Sequence, residues 1–139
     1  MTMTNKILCA VDGSEHSMRA VTKAAELSRA GDTQIILILV DQVFFEPRMA
    51  PVHALGEAKA ESILKAADEA ARKAGAANVS TVVVASRDVG RAILNYAEEH
   101  HIDHIVVGTG EKSAGTRLVL GSVSHDLIAR AHCTVTIAR

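Results

Sequence analysis

Aromatic residues make up only 2% of this chain: there is no tryptophan, and Phe44, Phe45 and Tyr96 are the full complement. So few stacking surfaces leave almost no platform for single-stranded nucleic acid. Excess charge of either sign is lacking too. With 15 Lys and Arg against 16 Asp and Glu, the net charge of −1 supplies no field for gripping a phosphate backbone or an anionic membrane. No apolar run approaches the ~18 residues of a membrane span, and residues 1–5 are polar rather than signal-like, so a cytoplasmic location without membrane insertion is expected. Cysteine is scarce. Cys9 and Cys133 stand in apolar, strand-like runs without CxxC or Cys/His ligand spacing, and both read as buried thiols.

What is present is a single-domain length, 139 residues, with 48% hydrophobic residues. Strand-length apolar runs occur at 5–11, 34–40, 79–85, 104–108 and 133–138, most of them β-branched and apolar at successive positions, the pattern of strands buried on both faces. Helical spacing fills the gaps. A first helix over about 15–30 stops at Gly31, and a second over 57–74 stops at Gly75. The second carries Ala60, Ile63, Ala67, Ala70 and Ala74 on one face and the i,i+4 pairs Glu61–Lys65, Asp68–Arg72 and Glu69–Lys73 on others. Asp88 caps a third helix running to about 101, with Val89, Ala92, Ile93, Tyr96 and Ala97 inward. A fourth starts near Ser122 with Val123, Leu127 and Ala131 inward. Alternating strands and helices joined by right-handed crossovers define an α/β fold: a doubly wound, Rossmann-like and flavodoxin-like five-stranded parallel sheet with helices on both faces. The strand order expected is 3-2-1-4-5.

Such sheets bind ligands outside the carboxyl ends of the strands, where the strand order reverses. Two strand-to-helix connections stand out. Residues 41–55 hold both prolines, Pro47 and Pro51, and read as extended or turn-like and surface-exposed. Residues 109–120 form a long connection of the kind that is usually functional. There Gly108 and Gly121 bracket Gly110 and Gly115, and glycine lets backbone amides approach a ligand closely. Gly121-Ser122 opens a helix whose first amides favour an anion, Ser122 and Ser124 add hydroxyls, and Lys112 and Arg117 add charge. A flexible loop with an ordinary serine cap accounts for the same letters equally well.

Familiar phosphate motifs fail on inspection. Gly110–Arg117 lacks the lysine of a GxxxxGK[ST] loop. Gly108-Thr-Gly110 is followed by Ser113 where a dinucleotide fingerprint needs glycine. A phosphoryl-accepting receiver needs an aspartate ending the third strand, which instead ends at Ala85-Ser86. His100, His101 and His104 cluster but do not keep i,i+4 geometry, and histidines interacting with a helix C-terminus are the simpler reading. The other histidines show no triad spacing.

From Gly108 the chain runs two residues to position 111, nine more, then Gly121-Ser122. This spacing, together with Lys6-Ile-Leu-Cys-Ala-Val-Asp12-Gly-Ser, Asp88-Val-Gly-Arg-Ala-Ile-Leu, Ile102-Asp-His-Ile-Val-Val-Gly108 and Cys133-Thr-Val-Thr-Ile-Ala-Arg139, resembles the universal stress protein A family. The likeness spans residues 1–139 as one domain and is to the ATP-binding subclass, with a degenerate form of its G-x2-G-x9-G-[ST] motif. The resemblance implies an adenine nucleotide, ATP or AMP or ADP, with Asp12 near the ribose and adenine and Val40 offering backbone contacts to adenine. Gly108, Gly110, Gly121, Ser122, Val123 and Ser124 would surround the phosphates. Mg2+, where present, would be held through phosphate oxygens.

It further implies a stress-response or signalling role through a regulatory protein partner, with little or no turnover. A homodimer would form by antiparallel pairing of the edge strand 133–138, where Thr134 replaces the family's frequent proline and Val135 and Ile137 supply an apolar face. A non-nucleotide-binding interaction module of the same fold and a slow ATPase are the alternatives. Asp12 also reads as a helix N-cap, a job Ser14 can do instead.

One position departs from the family pattern. Glu111 replaces the second glycine, and a carboxylate beside a triphosphate costs about 1 to 4 kcal/mol depending on the local dielectric. Gly110 takes the role one residue early, or Glu111 turns its side chain to solvent while its N–H contributes, or the site prefers AMP or stays empty. The second arrangement is favoured, because a loop residue with suitable φ and ψ can face outward.

Overall fold

A computed structural model describes residues 5–29, 32–110 and 121–139. In chain order the elements are β1 (Asn5–Ala10), α1 (Glu15–Ser28), β2 (Thr33–Phe44), β3 (Val52–His53), α2 (Glu57–Lys73), β4 (Val79–Ser86), α3 (Val89–Glu99), β5 (His104–Gly108), α4 (Ser122–Arg130) and β6 (Thr134–Ala138). Five strands run parallel in the order β4-β2-β1-β5-β6. Counting these five alone, this is the expected 3-2-1-4-5. The sixth, β3, is antiparallel and pairs with the end of β2 through Val43↔His53 and Phe44↔Val52. Sequence reading did not find it, because two residues are too few to show alternation.

The sheet has a separate core on each face because strand side chains alternate. Ile35, Leu37 and Leu39 of β2 face α1 and α2, meeting Ala20, Val21 and Ala24 of the first and Ala60, Leu64 and Ala67 of the second. Ile36 and Ile38 face the other way, toward Ile93 and Ala97 of α3 and Leu127 of α4. Alanine at the helix positions brings these helices close to the sheet without aromatic filler.

Several expectations change in detail. The buried stripe of α2 is Ala60, Leu64, Ala67 and Ala71, with Ile63, Ala70 and Ala74 packed at its border, so the face is rotated by one residue. Of the three ion pairs expected there, Asp68–Arg72 is formed at 3.0 Å among the described residues. β4 is not buried on both faces: Thr81, Val83 and Ala85 are exposed, since it lies at a sheet edge. Cys9 is buried, which pushes its thiol up to about 12, but Cys133 is only half-buried. α1 ends at Ser28, and Gly31 lies outside the described residues, whereas Gly75 has φ +108 as a helix stop requires. Asp88 caps α3 as expected, its Oδ1 accepting from Arg91 N–H at 3.1 Å, but the helix ends at Glu99.

Candidate functional site

Strand order reverses between β1 and β5, and the expected site residues gather at the carboxyl ends there. Cys9 of β1 pairs with Leu37 of β2 on one side and Val106 of β5 on the other. Following each chain three positions further reaches Asp12, Val40 and Thr109, so these three lie at one level, Asp12 and Thr109 just beyond their strands and Val40 still within β2.

Asp12 sits at the start of a tight turn. Its Oδ1 accepts from Ser14 N–H at 2.9 Å, and Ser14, not Asp12, is the N-cap of α1, accepting from Ser17 N–H at 3.2 Å. Gly13, with φ +87, makes the turn between them possible. The aspartate is exposed at the carboxyl end of a central strand.

Val40 lies inside β2 rather than at its end, because the strand continues to Phe44. Its polar groups nevertheless face the crevice side. Ile38 C=O accepts from Val11 N–H at 2.9 Å, and Gln42 C=O accepts from Ala54 N–H at 2.8 Å. Backbone groups two residues apart along a parallel strand point to the same edge. The N–H and C=O of Val40 therefore face the gap between the last bond to β1 and the first bond to the β3 segment.

That segment is held by a residue the sequence reading passed over. Asp41 is buried at 4% exposure; its Oδ1 accepts from Leu55 N–H at 2.9 Å, and its Oδ2 from Gly56 N–H at 3.2 Å and His53 Nδ1 at 3.1 Å. Burial raises the carboxyl's pKa, but the Leu55 and Gly56 amides and the charge and hydrogen bond of His53 outweigh it and hold it below the ordinary 3.8. Residues 41–55 are thus not a simple exposed loop: Asp41 anchors them over the end of β2.

On the other side, Gly108, Gly110 and Gly121 are brought together by close backbone packing. A Cβ on Gly108 would stand 2.3 Å from the His16 carbonyl oxygen, so the first turn of α1 rests directly on this glycine. Gly110, with φ +72, and Gly121 face each other, each Cβ position 3.2 Å from the other's Cα. Gly121 N–H donates to Thr109 C=O at 2.7 Å, closing the ends of the 111–120 connection against one another. Thr109 is itself buried, its Oγ1 3.1 Å from His16 Nδ1. Glu111, Lys112, Gly115 and Arg117 lie outside the described residues.

Ser124 is buried, and its hydroxyl donates to Gly108 C=O at 2.7 Å, tying α4 to the end of β5. Ser122 and Val123 line an open crevice of about 790 Å3 with Gln42, Arg87, Val89 and His125. The N-cap of α4 is Gly121, so no side chain caps its first turn. A smaller groove of about 310 Å3 lies between α3 and the end of α4, at the opposite end of the sheet. Thr109, His16, Gln42 and Arg87 had no spacing signal, since folding alone brings them to this end.

The carboxyl ends of β1, β2 and β5 thus bring together glycine backbones, the first turn of α4 and the Asp12 carboxylate, at the switch point where doubly wound α/β sheets place their ligands. Residues 3–139 match the family model described as "Universal stress protein family", and the chain belongs to that family. It is 30% identical over 149 residues to the universal stress protein YxiE of Bacillus subtilis, covering 99% of this chain and 100% of that protein. A solved universal stress protein in complex with cAMP has TM-score 0.77 and 27% identity, covering 97% of this chain and 96% of its own. The Archaeoglobus fulgidus universal stress protein, solved in complex with dAMP, has TM-score 0.76 and 22% identity, with both chains covered in full at 100%. Among the described residues no helix is long and apolar enough to cross a membrane.

Proposed function

We propose that this chain binds an adenine nucleotide across the carboxyl ends of β1, β2 and β5 and signals through a protein partner, with little or no turnover. The observation that carries the reading is the Gly110–Gly121 contact. Two glycine backbones in direct apposition close the connection and present the first turn of α4 to an open crevice. Amides of Ser122 and Val123 there suit phosphate oxygens. A single residue's N–H and C=O match the acceptor and donor on an adenine edge, and Val40 offers that pair. Asp12 accepts from ribose hydroxyls. Ser124 acts indirectly, fixing Gly108, and Mg2+ would be held through phosphate oxygens rather than by a protein cage. The family relative solved with cAMP supports an adenine ligand. A homodimer through the outer edge of β6 belongs to the same proposal.

The purified protein, denatured and chromatographed, is expected to release adenine nucleotide. Gly121→Asp, which adds bulk against Gly110 and charge beside phosphate, is expected to release none. The Asp12→Ala variant, altered at an exposed position, retains its fold by circular dichroism and binds more weakly. A wild-type protein that releases no nucleotide and does not titrate with ATP, ADP or AMP would leave the interaction module as the correct reading.

A further inference from the structure

We infer that the β4 edge is a self-pairing surface, at which two copies of this chain join their sheets by antiparallel β4–β4 addition about a two-fold axis at Val83. This rests on the geometry of β4 and is independent of nucleotide binding.

Among the described residues β4 pairs only with β2. Ile35 N–H donates to Asn78 C=O at 2.9 Å, so the even-numbered residues of β4 bond inward to β2. The N–H and C=O of Thr81, Val83 and Ala85 consequently point outward along the edge, while at its start Val79 C=O accepts from the Arg72 guanidinium at 3.1 Å. Exposed edges are ordinarily blunted by charge, proline or a bulge. Val79–Ser86 has neither a charged residue nor a proline, and its register against β2 runs unbroken from Val79 to Ser86.

A second copy is the occupant this edge fits. An antiparallel two-fold at an outward-bonding residue makes that residue a hydrogen-bonded pair with its own image. At Val83 the register then sets Thr81 opposite Ala85 and Val82 opposite Val84, with Ser80 opposite Ser86. About six N–H···O=C bonds form, no like charges meet within the strand, and β-branched residues face one another, a favourable cross-strand pairing. Val83 is 46% exposed and shares the α2-facing side of β4 with Thr81. A groove of about 280 Å3 lies there between α2 and the strand, lined by Leu64, Lys65, Thr81 and Val83 among others. The side chains of Val83 and Ala85 from the second copy are of a size to enter it.

The test is cross-linking by position. A hydrogen-bonded antiparallel pair places its Cα atoms about 5.5 Å apart, within disulfide reach. In a Cys133→Ser background, Val83→Cys is expected to form a disulfide-linked dimer under mild oxidation, whereas Thr81→Cys, whose opposite number is Ala85, stays largely unlinked. Val83→Lys sets two lysines opposite each other and is expected to lower the light-scattering mass to no more than that of the β6-paired dimer, with its circular dichroism unchanged. Absence of the Val83→Cys dimer, equal linking at Thr81, or an unchanged mass in a folded Val83→Lys protein would each overturn the inference.

Discussion

At the scale of single residues, the closest contacts at the carboxyl ends of β1 and β5 are backbone contacts, and they set sharp limits on substitution. Gly108 tolerates no side chain where it stands, because the carbonyl of His16 occupies the place a Cβ would take. Gly108→Ala is expected to destabilise the fold by about 1 to 3 kcal/mol, the usual cost of overpacking, measured by urea denaturation. Asp41 makes the opposite kind of demand, a buried charge that needs every partner it has. Its pKa is lowered on folding, so its contribution is in full above 3.8 and is lost as pH falls below that value. Asp41→Asn is expected to cost about 1.5 to 3 kcal/mol at neutral pH and to flatten the acid limb of stability below 3.8. An acid limb identical to wild type would contradict the assignment. Ser14 as the cap of α1 was legible from the first-strand motif. Asp41 was not, because its partners His53, Leu55 and Gly56 lie 12, 14 and 15 residues away.

Among elements, helix starts were the most readable feature and strand burial the least. Asp88 was marked by a capping residue just before a helical period, and it does cap α3. Asp88→Ala is expected to lose about 1 kcal/mol by denaturation, with faster amide exchange at Arg91 as the local signature. The apolar run in β4 misled for a physical reason. Consecutive Val82, Val83 and Val84 look like a strand covered on both faces, yet β4 is an edge strand on which Val82 and Val84 are half-buried and Val83 is exposed. The stripe on α2 slipped by one residue because alanines occupy so much of the helix that several faces look alike. β3 escaped notice since its existence depends on Asp41 holding the segment, not on its own two residues.

For the molecule as a whole, sheet order follows from connection handedness, and five strands separated by four helices left little freedom. That is why the 3-2-1-4-5 order was readable while the level shared by Asp12, Val40 and Thr109 was not: level depends on register between strands far apart in sequence. The sheet leaves β6 and β4 at its two ends, and the crevice opens at the carboxyl ends of the strands between them. The crevice abuts the carboxyl end of β4, since Arg87, directly after Ser86, lines it, whereas β6 contributes none of its lining. Calorimetric titration of nucleotide-free protein with ATP, ADP and AMP tests the central claim most directly. Saturable heat with at least one of them, abolished in a folded Gly121→Asp protein, is the predicted result; no heat from any of the three at millimolar concentration would contradict it.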